Sequence, residues 1–234
     1  MLDLRTFFKN HFDTDKISDD NMRKFAEIHL QRLSANNTGG QYTTMITSLT
    51  AAYTAYYGAL QNEDAKYALQ QGLTITLTNI FESFKSYVSL KEGIIRGTFG
   101  KESAQYQEFF PQGLLEFTQA TLANVQVLID RMVLCTDKYQ TELGPALLSA
   151  FEDYKANFIS AREAQLQKIG EVKDLKVVTS TTRDVVEVEL MKNVHLIAAM
   201  YIGNVEQCIL FFDQSFIRDA DSVEEEETPA EPTT

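Results

Sequence analysis

Three histidines (His11, His29, His195) and two cysteines (Cys135, Cys208) are the residues of this chain best suited to hold a transition metal or to serve nucleophilic chemistry. A di-iron site in a helical bundle needs Glu-x-x-His units, because that spacing puts both ligands on one helix face. No histidine has a glutamate three residues before it; Glu27 lies only two before His29. That class is excluded, and His29 and His195, set among apolar residues, read as hydrogen-bonded core or boundary histidines. The acid-rich run Asp13-Thr14-Asp15-Lys16-Ile17-Ser18-Asp19-Asp20 invites a calcium loop. An EF-hand loop counted from Asp13 would need glycine and a bidentate acid where Ser18 and Lys24 stand, so helix capping is the better account of the acids. Gly97-Thr98-Phe99-Gly100-Lys101 lacks the glycine spacing of a phosphate loop, and Glu102 follows the lysine. Glycines that end a helix explain it. No nucleophile elbow is present. The expectation is a chain without catalytic, cofactor-binding or metal-ligating residues.

One irregular stretch stands apart. Phe99, Lys101, Tyr106, Phe109 and Phe110 cluster in the connector that ends at Pro111. Aromatic side chains in a connector either offer a partner-binding surface or plug the end of a bundle. This connector, and Phe211-Phe212-Asp213-Gln214-Ser215 near the end, resemble segments of uncharacterised bacterial all-helical proteins. The resemblance covers a small part of the chain and implies a helical fold but no activity.

Composition sets the class. At 234 residues, 44% hydrophobic and 23% charged, the chain has the make-up of an ordinary globular protein with one substantial core or two small ones. Seven acids and no Lys or Arg fall in residues 219–234, and they account for more than half of the net charge of −12. An acidic chain without a basic stripe does not suit nucleic acid, whose binding rests on neutralised phosphates. No segment approaches 18 uncharged apolar residues, so no membrane span is expected. Asp3 and Arg5 interrupt the N-terminus, which is not a standard secretory signal. The two cysteines read as free thiols of a cytoplasmic protein.

What must position these residues is helix. All four prolines (Pro111, Pro145, Pro229, Pro232) lie outside the long apolar-periodic stretches. Ser18 is a plausible N-cap, followed by Asp19 and Asp20 in the first turn. Met22, Phe25, His29 and Leu33 form the first stripe, and Asn36 to Gly40 break it. Tyr42, Met45, Leu49, Ala52, Tyr56 and Ala59 form the second, with Asn62-Glu63-Asp64 a turn or a polar patch. Leu73, Leu77, Ile80, Phe84, Tyr87 and Ile94 carry the third. Leu122, Val125, Ile129, Met132 and Tyr139 carry the fourth, and Leu147, Phe151, Tyr154, Phe158, Ala161 and Ile169 the fifth. Thr179 to Thr182 offer a break before a last stripe of Val188, Met191, His195, Ala198, Ile202, Val205, Ile209 and Phe212. Residues 73–78 and 185–190 also alternate like strands, but each lies inside a three-four stripe and reads as helix. Leu49, Tyr53 and Tyr56 repeat in type at Leu147, Phe151 and Tyr154, as a duplicated hairpin or convergent packing would make them.

The expected fold is all-α: an antiparallel bundle of five or six long helices over 18–218, a lead-in at 1–17 and an acidic disordered tail at 219–234. The expected function is non-enzymatic, through a protein partner or self-association. An apolar small molecule held between helices is the alternative, and an enzyme with a site assembled from scattered residues comes last.

Overall fold

The computed structural model describes residues 5–217; the tail at 219–234, with Leu2 and Leu4 of the lead-in, lies outside them. Its elements are α1 (Arg5–Phe8), α2 (Asp19–Ala35), α3 (Thr43–Phe99), α4 (Ala104–Phe109), α5 (Leu115–Thr118), α6 (Val125–Lys138), α7 (Gln140–Leu143), α8 (Pro145–Met200) and α9 (Val205–Ile209). A 3₁₀ turn, Gln214–Phe216, follows. The described residues contain no strand, so the chain is all-α.

Local chemistry sets the ends. The Ser18 hydroxyl accepts a hydrogen bond from the Asn21 amide at 3.2 Å, and Asp19 and Asp20 occupy the first turn of α2. Ser103 caps α4 in the same way, through the Tyr106 amide at 3.0 Å. Gly100 ends α3 at φ +78°, and Gly144 turns the chain at φ +82° just before α8. Both values favour glycine because a Cβ is strained there. Pro145 then opens α8 at a position where its missing N–H costs nothing.

Two helices dominate. α3 has 57 residues and α8 has 56, and both pass through positions where the sequence suggested a turn. Asn62-Glu63-Asp64 is a polar patch inside α3, and Thr179 to Thr182 do not interrupt α8. The threonines sit inside the helix with their hydroxyls satisfied: that of Thr181 donates to the Val177 carbonyl at 2.8 Å and that of Thr182 to Val178 at 2.9 Å. α3 and α8 pack together antiparallel, since partners rise along one as they fall along the other: Thr74 with Gln165, Ser83 with Tyr154 and, just beyond the helix ends, Tyr42 with Tyr201.

The described chain divides into two compact units, Met1–Asp64 with Asp174–Thr234, and Ala65–Lys173. In the second unit Leu77, Phe84, Val88, Phe110, Phe117 and Phe151 are buried in one core with Ile129 and Met132. Phe84 lies 6.1 Å from Phe117 and 6.2 Å from Phe151. In the first unit Phe12, Ile17, Met22, Phe25, Leu49 and Tyr56 pack with Val186 and Leu190, and beside them Leu33, Tyr42 and Met45 pack with Ile197 and Phe211. The two Leu-x3-aromatic-x2-Tyr segments thus each face the core of a different unit.

The last stripe differs from its expectation. α8 ends at Met200, Gly203 turns the chain, and Ile202 and Val205 are exposed. His195 is exposed too, and the buried face of α8 here is Val186, Leu190, Asn193 and Ile197. Apolar residues occupy two sides of this helix, and the stripe read from the sequence followed the outer one.

Candidate functional site

The polar groups of the first unit gather at two places. One is built on Arg183, in the middle of a helix turn that also carries Glu187. The Arg183 Nε donates to Glu187 Oε1 at 2.8 Å, and Nη1 donates to Asp19 Oδ1 at 2.8 Å. Nη2 donates to the backbone carbonyls of Ile17 at 2.8 Å and Thr14 at 3.2 Å. The guanidinium therefore ties α8 to the loop that enters α2. From α3 the Tyr56 hydroxyl donates to Asp19 Oδ1 at 2.8 Å. Burial pushes the Tyr56 hydroxyl well above its usual range, and the Asp19 carboxylate adds to that. Burial also raises Glu187, against the lowering effect of Arg183.

Around this network lies a cleft of about 500 Å³, lined by the 13–19 loop, by Glu63 of α3 and by α8 from Lys176 to Glu187. Its walls carry Asp13, Asp15, Asp19, Glu63, Asp184 and Glu187 against Lys176 and Arg183. Thr179 also lines it; the residue is 4% exposed, and its hydroxyl has no hydrogen-bond partner among the described residues.

The second place is a clamp on the residues after α9. His29 is fully buried on α2. Its Nδ1–H donates to the Phe211 carbonyl at 2.9 Å, while Nε2 accepts from the Asn193 side-chain amide at 3.2 Å. A carbonyl can only accept, so the ring is the neutral Nδ1–H tautomer. The imidazole stacks on Phe212 with centroids 4.4 Å apart. Burial lowers its pKa to about 4, with the nearby Arg32 charge adding to the effect and the Phe211 carbonyl opposing it. Arg32 reaches the Leu210 carbonyl and Asp213 Oδ2, each at 3.3 Å. With both ring nitrogens engaged, His29 is a structural fastener.

The other histidines also hold backbone. His195 Nε2 donates to the Phe7 carbonyl at 2.9 Å, and His11 Nε2 to Thr6 at 2.7 Å. Among the described residues no three His, Cys, Asp or Glu side chains are placed to hold a metal ion. Cys135 is buried, and burial raises its thiol pKa, which opposes formation of a reactive thiolate.

The aromatic connector folds inward. Tyr106, Phe109 and Phe110 are at most 4% exposed, and the Tyr106 hydroxyl donates to buried Glu92 at 2.7 Å. Phe99 is half-buried against Tyr139, with centroids 5.0 Å apart, and Lys101 alone of the five stands exposed. Of the two readings of this connector, the buried rings fit the plug: burying them removes far more apolar surface from water than a display on a loop would.

Sequence reasoning missed Arg183, Thr179, Asp184, Glu187 and Asn193. The i,i+4 spacing of Arg183 and Glu187 was available as a signal, but on a helix it reads first as a solvated pair. No protein-family model, curated protein or solved structure matches the chain.

Proposed function

We propose that the chain is a non-catalytic helical protein that works through contacts with other proteins, as a scaffold, assembly subunit or adaptor. The observation that carries this reading is the second apolar side of α8 in the first unit. Val186, Leu190 and Ile197 fill the core, yet Val177, Val178, Val185 and Val188 are 46–62% exposed. Helical periodicity puts these four valines on one side, since at 3.6 residues per turn they fall within about 100° of one another around the axis. A surface helix normally buries one apolar stripe and solvates the rest, and a contiguous exposed apolar patch marks a contact site. Valine also loses little rotamer freedom on docking, because branching at Cβ already restricts it. Two free cysteines favour a reducing compartment for this work. No described helix is long and apolar enough to cross a membrane.

Light scattering on the eluted protein, with affinity capture from the source cell, tests this reading. The chain is expected to elute as an oligomer or with a stoichiometric partner, and Val178→Lys with Val185→Lys should abolish that association while leaving the thermal midpoint nearly unchanged. A wild-type chain that stays monomeric and partnerless, or an association that the double variant retains, would count against it.

A smaller apolar pocket of about 230 Å³ supports a second reading, the binding of an apolar small molecule. It lies among Phe12, Phe25, Val194, Ala198, Phe212 and Ile217, all in the first unit. Native mass spectrometry of the purified chain checks it by the added mass of a retained ligand.

A further inference from the structure

We propose that the valine face of α8 is covered by a second copy of this chain, its α8 packed antiparallel against the first about a two-fold axis level with Arg183. This names the partner for the contact surface described above and rests on that reading.

The face is a seam. From Asp174 the outward residues Val178, Thr181, Val185, Val188 and Lys192 follow at steps of four, three, four, three and four, and every one of them is exposed. Alternating steps of three and four keep one line of side chains turned toward a neighbouring helix, as in a coiled coil. The core of the first unit uses the other side of α8, through Val186, Leu190 and Ile197, so the seam faces away from the chain's own core. A helix face meant only for water has no use for three valines at these positions.

Symmetry selects the second copy. The spacing reads the same in both directions, with its midpoint at Arg183. Turned end over end, the seam lays layer on layer: Asp174 against Lys192 of the second copy, Val178 against Val188, and Thr181 against Val185. Each pairing then occurs twice, as an interface built on a two-fold axis requires. The charges fit this direction and oppose the other. Antiparallel helices close both ends of the valine seam with an Asp174–Lys192 pair. Parallel helices would set Asp174 on Asp174 and Lys192 on Lys192, and like charges in contact are costly. Both charges are free to do this. Asp174 makes no ion pair among the described residues, while Lys192, 58% exposed, is paired with Glu189 one turn away on its own helix. Thr181 brings no unsatisfied donor into the seam, because its hydroxyl already donates to the Val177 carbonyl at 2.8 Å. One group works against the pairing: Asp184, beside the midpoint, comes near its own counterpart.

Sedimentation equilibrium of the full chain, at up to about 100 μM so that a dimer of micromolar Kd is saturated, tests the proposal. The expected mass is twice the chain's 26.5 kDa. Asp174→Lys and Lys192→Asp should each weaken the dimer by about tenfold or more, since either change sets like charges against each other at both ends. Mixed in equal amounts, the two variants should dimerise with each other about as tightly as wild type, because the mixed pair restores both contacts. Asp184→Asn should tighten the dimer severalfold. All these positions are exposed, and circular dichroism checks that each variant keeps its helix content. A monomeric chain that holds a different protein through the valines would overturn the second copy and leave the contact reading standing. A monomeric chain without a partner, or a dimer that survives Val178→Lys with Val185→Lys, would overturn both. A dimer lost in that valine variant but indifferent to the two charge changes, or not restored in their mixture, would overturn the antiparallel pairing alone.

Discussion

The two units hold their buried polar groups in different ways. The second packs rings and aliphatic side chains in one core, and its buried Glu92, Thr136 and Gln165 are held by the Tyr106 hydroxyl, the Met132 carbonyl and the Thr74 hydroxyl. The first unit buries His29, Thr179, Glu187 and Asn193; Arg183 holds Glu187 and the Asn193 amide donates to His29, while the Thr179 hydroxyl has no partner among the described residues. Such groups contribute less to stability than apolar ones of similar size, because each must recover its desolvation through a partner. Under the proposed function the first unit, which carries the exposed valine face of α8, makes the contact, and the second serves as its mount.

The largest effect expected from this comparison is in the mount. Phe84→Ala removes a fully buried ring that touches Phe117, Phe151 and Tyr154. Urea unfolding should show a loss of about 3–5 kcal/mol. A loss below 1 kcal/mol would mean that the aromatic core is loosely packed.

Next comes Arg183→Met, which strands Glu187, 3% exposed, without its cation. Breaking a pair of this kind from one side costs about 3–4 kcal/mol. Adding Glu187→Gln should recover much of that, because the buried charge is then gone. A single variant as stable as wild type would show that the network is not what fixes the 13–19 loop to α8.

The His29 clamp predicts a pH dependence. The folded-state pKa is lowered to about 4 from 6.5, so protons bind the unfolded chain first as pH falls. The clamp's contribution is complete above pH 6.5 and is lost progressively toward pH 4, up to about 3 kcal/mol. Glu187, whose pKa is raised, acts in the opposite sense. Urea midpoints for wild type and His29→Gln between pH 7.5 and 4.5 separate the two. The variant should lose less stability over that range, and parallel slopes would remove His29 from the account.

Much of the framework was legible in the sequence. Met22, Phe25, His29 and Leu33 are all buried on α2, and all six residues of the second stripe are buried, Tyr42 just before α3 and the other five on it. Ser18 caps as its type and position implied. Those features depend on local propensity and three-four spacing, which one sequence displays. The continuity of α8 was not legible, because hydroxyls that cap a helix in one rotamer bond the carbonyl one turn back, inside the helix, in another. Neither was the cleft. Arg183 meets Asp19 across 164 positions, and charged residues that converge only in the fold look like solvated faces until the helices pack. His195 misled for a related reason: where a helix is apolar on two sides, spacing alone does not say which side is the core.

The smallest stability effect expected is at a cap. Ser18→Ala removes the acceptor for the Asn21 amide and should cost about 1 kcal/mol in thermal or urea unfolding. No change would show that Asp19 and Asp20 hold the α2 terminus without it.

Hydrogen exchange followed by mass spectrometry, on the chain alone and in its associated form, tests most directly the proposal that the valine face of the first unit makes the contact. Slowed exchange centred on residues 177–188, with 104–138 unchanged, is the predicted result. Protection spread over both units, centred on 104–138, or absent throughout would contradict it.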